Sequence, residues 1–232
     1  MRAPTRAAAA QSVGGTALPC DGRISPARVS GRRAGQRFDA QHGVVTEALV
    51  LLGDLDPERI GPNLAHATHY EPTPIADLAR LLAHVPFPLE RATFVDLGVG
   101  MGRAALLAAM RPFKAIVGVE ISPALAVIAR QNLAAAPPRI FRCRDVRIVC
   151  ADAAAYHFPR GDLVVYLYNP FDGAVLAPIV ARLAGRSQTQ LAIVYHTPVE
   201  RNMIEAHGAF ELIGEEGCGV IYRLTPAADA SA

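Results

Sequence analysis

From about residue 92 the chain alternates short, unbroken apolar runs with longer segments whose alanines and leucines recur at helical spacing. The runs are TFVDLG, AIVGVE, RIVCAD, DLVVYLYNP and LAIVYHT; the segments are MGRAALLAAMRP, SPALAVIARQNLAAA and roughly residues 173 to 184. Runs that do not alternate with polar residues predict strands covered by helices on both faces, hence a parallel sheet. Ser122 is expected to cap the second helix, with Pro123 at its first position. The stretch 153–161 is too short and broken for a crossover helix. The tail FELIGEEGCGVIYRL reads as two antiparallel strands joined by GEEG. Upstream, TPIADLARLLAHV places Ile75, Leu78, Leu81 and Leu82 on one helical face, with Thr73 as the predicted N-cap and Pro74 at the first helical position. The expected fold is α/β: a doubly wound, Rossmann-like sandwich with a mostly parallel seven-stranded sheet and an antiparallel C-terminal edge.

At 232 residues and 51% hydrophobic, the chain can bury one substantial core but not two. We expect a disordered tail over 1–36, a helical cap over 37–90, the main domain over 91–225 and a short disordered tail over 226–232. Residues 1–37 carry seven arginines against one acid, Asp21, and superficially resemble an organelle transit peptide; a disordered tail on a cytoplasmic protein is the expectation. Residues 38–232 hold 16 basic and 20 acidic side chains, so the mean charge of the body gives no nucleic-acid footprint. Cys20, Cys143, Cys150 and Cys218 have no paired metal-type spacing and read as reduced, with Cys150 expected in the core. No apolar stretch reaches the roughly 18 residues of a membrane span.

The chemistry concentrates at ATFVDLGVGMGR. A glycine turn after a first strand receives either a dinucleotide or S-adenosylmethionine. The dinucleotide pattern wants a glycine at the sixth position for close helix packing, and Arg103 stands there; the glycines are Gly98, Gly100 and Gly102. Asp96, just before the turn, would repel a pyrophosphate and attract a cation such as a sulfonium or an ammonium. Glu120 ends the second strand, with Ile121 beside it, where a carboxylate accepts ribose hydroxyls. Asp152 ends the third, placed for an adenine amino group, with the Ala153 N–H for a ring nitrogen. Tyr70, in HYEPTP, is positioned to fold over the cofactor.

These motifs resemble those of class I S-adenosylmethionine-dependent methyltransferases: VDLGVGMGR is similar to their glycine motif, GVEIS to the ribose motif and CADA to the adenine motif. In their order, RFDAQHGVVT, YEPTP, VDLGVGMGRAALLAA, VGVEIS and YLYNPF resemble a bacterial group described only as class I methyltransferases. The resemblance covers roughly residues 37–224. It departs in carrying valine and methionine where small polar residues are commoner in LGVGMG.

The resemblance implies S-adenosylmethionine as cofactor and a methyl acceptor bound at YLYNPFD. Enzymes that methylate planar amino groups carry an [Asp/Asn]-Pro-Pro-[Tyr/Phe] motif, to which Asn169, Pro170 and Phe171 are similar with one proline fewer. A nitrogen acceptor is therefore expected, with protein, nucleic acid and small metabolite all open. Tyr195 and His196 are candidates for the substrate wall. His66 and His69 have HxxH spacing but no third ligand in a matching pattern, so no metal is expected. The alternatives are a non-catalytic S-adenosylmethionine-binding protein and, opposed by Asp96 and Arg103, an NAD(P)-dependent reductase.

Overall fold

Four of the predicted strands, Thr93–Leu97, Ala115–Glu120, Leu163–Tyr168 and Leu191–His196, form from residues that the sheet buries almost completely. A computed structural model describes residues 26–55, 57–186 and 189–225. The strands are β1 (Thr93–Leu97), β2 (Ala115–Glu120), β3 (Val146–Cys150), β4 (Leu163–Tyr168), β5 (Leu191–His196), β6 (Phe210–Glu216) and β7 (Gly219–Leu224). They make one sheet in the order β3-β2-β1-β4-β5-β7-β6. β3, β2, β1, β4 and β5 are parallel neighbours; β7 lies antiparallel to β5, and β6 antiparallel to β7. The doubly wound sheet with its antiparallel edge is thus present, and its order reverses between β1 and β4. In such sheets the crevice opens beyond the carboxyl ends of the strands at the reversal.

Helices cover both faces. Alternate residues of β1 show why: Val95 and Leu97 pack with Leu176, Ile179 and Val180 of α6 (Gly173–Ala184). Phe94 faces the alanine-rich side of α4 (Arg103–Ala109) and α5 (Pro123–Ala135), together with Leu78, Leu81 and Leu82 of α3 (Ile75–Leu82). Ser122 caps α5, its hydroxyl accepting from the Leu125 N–H, and Asp172 caps α6 through the Ala174 N–H. The remaining helices are α1 (Pro26–His42), α2 (Pro57–Ile60) and α7 (Arg201–Glu205).

Several expectations differ from the structure. Helix α1 begins at Pro26, inside the segment expected to be tail; the tail expectations for 1–25 and 226–232 lie outside the described residues. α3 has Pro74, not Thr73, at its cap position, and no side-chain cap bond. The Thr73 hydroxyl instead lies 3.1 Å from the Tyr166 hydroxyl. Strand β6 runs on to Glu216, so the hairpin turns at Gly217 and Cys218 rather than over GEEG. Cys150 is exposed because β3 is an edge strand and the thiol stands at its open end.

Candidate functional site

A cleft partly open to solvent lies at the carboxyl ends of β1, β2 and β4. Asp96, Gly98, Gly100, Glu120, Ile121, Asp152, Ala153, Tyr70, Pro170 and Phe171 all line it, so the structure brings together most of the residues singled out from the sequence.

The glycine turn is built by backbone geometry that other residues resist. Gly98, Gly100 and Gly102 have φ of 83°, 56° and 92°, the left-handed region that a Cβ penalises. Contact adds to conformation. A Cβ on Gly98 would sit 2.6 Å from the Pro170 side chain, and one on Gly100 would overlap the Tyr70 ring. The first turn therefore touches both the β4 loop and the aromatic ring above it. Gly102 lets α4 approach Ala129 of α5, where an added Cβ would lie at 3.3 Å.

The carboxylates differ in their surroundings. Asp96 is 2% exposed, and its Oδ2 has no hydrogen-bond partner among the described residues. Burial pushes its carboxyl up to about 8, and the nearby Glu120 adds to the shift. Glu120 is also raised by burial, although the backbone N–H groups of Ser122, Gly100 and Ile121 hold it down: Ser122 donates to Oε1 at 2.9 Å and Gly100 to Oε2 at 2.8 Å. Raised in this way, Asp96 keeps its proton while the cleft is empty near neutral pH; an arriving cation favours its ionised form beside Glu120, and an arriving phosphate opposes it. Asp152 is different. Its oxygens accept from Ala154 N–H at 2.8 Å and from the Asn63 amide at 2.5 Å.

Residues 39–73 roof this cleft and are stitched to it by polar contacts. Arg103, 2% exposed, does not obstruct helix packing; it points into the roof. There it pairs with Glu47 at 3.0 Å and Asp39 at 3.3 Å, donates to the Thr46 hydroxyl and lies over the Phe38 ring. Asn132 accepts from the Val45 N–H and donates to the Val45 and Met101 carbonyls, each at 2.8 Å. Tyr70 donates to the Thr46 carbonyl at 2.8 Å, and burial pushes its phenol up. Thr68 holds the β4 loop: its N–H donates to the Pro170 carbonyl at 3.0 Å and its hydroxyl to the Asn169 carbonyl at 2.5 Å.

Asn169 has φ 40° and is not part of the cleft lining; its amide oxygen accepts from the Tyr195 hydroxyl at 3.4 Å. Tyr195 and His196 do not line the cleft either. His196 has both ring nitrogens engaged, Nε2 with Asp77 and Nδ1 with Thr197, each at 3.1 Å, and burial lowers its pKa. It is packed scaffold rather than substrate wall. His66 pairs with Asp172 at 2.9 Å, and His69 is an exposed residue at the cleft. Among the described residues no group of three metal-type side chains converges. Sequence reasoning missed Glu71, Thr73, Tyr166 and Tyr168 in the lining, and the Asp39–Glu47–Arg103 cluster beneath it. A lone arginine in an alanine-rich helix, which must find carboxylate partners when buried, was the available signal for the cluster.

Residues 94–183 match a family model for methyltransferase domains. No curated protein matches the chain at a significant level. Solved structures share the fold. A putative RNA methyltransferase from Pyrococcus horikoshii is 17% identical with a TM-score of 0.52, covering 78% of this chain and 94% of that one. The glycopeptide N-methyltransferase MtfA, solved with S-adenosylmethionine, is 14% identical with a TM-score of 0.50, covering 66% and 94%. An RNA methyltransferase from Salinibacter ruber, solved with S-adenosyl-L-homocysteine, is 20% identical with a TM-score of 0.45, covering 69% and 97%.

Proposed function

We propose, from the premise that this chain carries a class I S-adenosylmethionine-dependent methyltransferase domain, that it is an enzyme transferring a methyl group to a nitrogen acceptor. The observation that carries the reading is the buried Asp96 carboxylate, with one unpartnered oxygen, at the mouth of a positive-φ glycine turn. It fits a ligand with two cationic groups and opposes a pyrophosphate.

The residues present suit the cofactor. Asp96 would hold its cationic amino-acid end, Glu120 its ribose hydroxyls, and Asp152 with the Ala153 N–H its adenine. Gly98 and Gly100 let Pro170 and the Tyr70 ring pack directly on the turn, so that Tyr70 closes the roof. When bound, S-adenosylmethionine supplies a methyl group already activated by its sulfonium. The chain's task is then alignment and exclusion of water. Phe171, 7% exposed, presents an apolar wall next to Pro170.

Charge supports a nitrogen acceptor. Glu71, Asp96, Glu120 and Asp152 line the cleft, against Arg103, whose guanidinium is already paired with Asp39 and Glu47. An amine enters such a field without penalty; a phosphate does not. One observation favours a non-catalytic binder instead: Thr68 already takes the Asn169 and Pro170 carbonyls that would accept amine hydrogens. Acceptor recognition then falls to Glu71 and Tyr168 in the lining, and to the Asn169 amide only once it leaves the Tyr195 hydroxyl and turns toward the cleft.

Transfer of labelled methyl to a lysate fractionated into protein, nucleic acid and small molecules tests this. Label is expected in an N-methyl product, and Asn169→Ala is expected to lower the rate by about 10²-fold with donor affinity unchanged. Donor binding with no labelled product in any fraction selects the non-catalytic reading; an O- or S-methyl product overturns the nitrogen assignment.

A further inference from the structure

Basic charge is segregated to one end of the sheet, and it is the end opposite the cleft. Residues 111–147 carry seven basic side chains against two acids, Glu120 and Asp145, and Glu120 is buried in the cleft. The rest of the chain from residue 38 carries nine basic against eighteen acidic side chains. All seven basic residues, Arg111, Lys114, Arg130, Arg139, Arg142, Arg144 and Arg147, are exposed.

Two of the seven are engaged locally. Arg147 pairs with Asp145 at 3.0 Å, and the Arg130 guanidinium donates to the Ile148 carbonyl at 2.9 and 3.2 Å. The other five, Arg111, Lys114, Arg139, Arg142 and Arg144, have no carboxylate within ion-pair distance among the described residues. They come from the two connections that lead into β2 and β3, which lie side by side. Arg142 N–H and Cys143 N–H both donate to the Ala109 carbonyl, at 2.8 and 3.0 Å, and Ile116 N–H donates to the Asp145 carbonyl at 2.8 Å. Strands of five and six residues separate this end from the cleft, about 17–20 Å of chain.

Structural roles account for a minority of these charges. Arg144 and Arg147 blunt an open sheet edge, and Arg111 complements the carboxyl end of α4. Lys114, Arg139 and Arg142 serve neither purpose. Five cations without ion-pair partners on two adjoining loops repel one another, screened over a Debye length of about 10 Å, and an extended anion relieves that repulsion.

We infer that the paired loops at the amino ends of β2 and β3 are a docking surface for the phosphate backbone of a nucleic acid. The cations are spread over two loops with no enclosed cradle, which suits a chain of phosphates rather than a single one. None of the exposed large hydrophobic residues lies in either loop. A membrane-binding surface needs apolar side chains to insert, and a protein interface needs an apolar centre. Phosphate contacts need neither. The inference is independent of which atom the cleft methylates.

The test is fluorescence anisotropy of the full chain with a labelled 20-nucleotide single-stranded RNA, the matching single-stranded DNA and the duplex, over a salt series. Five contacts give a log–log salt slope of about −3.5 on single strands. A variant with Arg111→Gln, Lys114→Gln, Arg142→Gln and Arg144→Gln is expected to flatten the slope by about 2.8 and to weaken binding at least about tenfold, with a melting temperature lowered by no more than about 4 °C. Changing Arg2, Arg6 and Arg23 to Gln controls for the arginine-rich N-terminus and is expected to leave most of the slope intact. Preference among the RNA and DNA arms identifies the polymer. The inference is overturned if the fourfold variant binds like the parent, if the slope disappears with the N-terminal arginines, or if phosphatidylserine vesicles or an acidic peptide bind as tightly as the nucleic acids.

Discussion

The two ends of the sheet treat charge in opposite ways. At the carboxyl ends of the strands Arg103, Asp96 and Glu120 are at most 5% exposed, and the arginine is tied into the roof. At the amino ends the charge is basic, exposed and largely unpartnered. The same residue type illustrates the difference. Arg103 opens α4 and Arg142 adjoins its far end through the Ala109 carbonyl, yet one is enclosed by two carboxylates and a hydroxyl and the other faces solvent. A buried charge is costly to leave alone, so its partners define the local structure. An exposed one costs the fold little and is available to a partner outside the chain.

Replacing the buried arginine sharpens this contrast most. Arg103→Leu leaves Asp39 and Glu47 without their cation and is expected to lower stability by about 3–5 kcal/mol in urea denaturation. A loss below about 1 kcal/mol would put the roof's cohesion elsewhere. Gly100→Ala follows. Its φ of 56° and the Tyr70 ring above it imply a loss of about 2 kcal/mol, with the cleft distorted; calorimetric melting checks it.

The pH dependence of the ligand-free protein comes next. Asp96 has a folded pKa near 8 against an ordinary value of 3.8, so the folded state keeps a proton that the unfolded chain releases. Stability from this group is fully present below about pH 4 and is lost as pH rises toward 8. Melting temperatures from pH 5 to 8 are expected to fall for the parent and to fall less for Asp96→Asn, the remainder coming from Glu120. The smallest effect belongs to the exposed end: Arg142→Gln alone is expected to change stability by less than about 0.5 kcal/mol.

What could be read from the sequence follows the same division. β1, β2, the glycine turn and the Ser122 cap were legible because apolar runs and local caps carry their own signal. Asp96, Glu120 and Asp152 were legible as strand-end acids. The start of α1, the Pro74 cap and the exposure of Cys150 were not, since each depends on what packs nearby. Asn169 was found by motif, but its side chain faces Tyr195, a contact that only the β4–β5 pairing creates. Arg103 was weighed as an obstacle to helix packing, whereas Asp39 and Glu47, far away in the chain, draw it into the roof. Mean charge concealed the basic end because acids elsewhere cancel it.

The central claim is that a buried, partly unpartnered carboxylate selects a cationic ligand over a phosphate. Isothermal titration at pH 8 with S-adenosylmethionine and with NAD, on the parent and on Asp96→Asn, tests it most directly. The account predicts that the parent binds S-adenosylmethionine and not NAD, and that Asp96→Asn loses at least about tenfold in affinity, roughly 1.4 kcal/mol. NAD binding to the parent, or undiminished S-adenosylmethionine binding to Asp96→Asn, would contradict it.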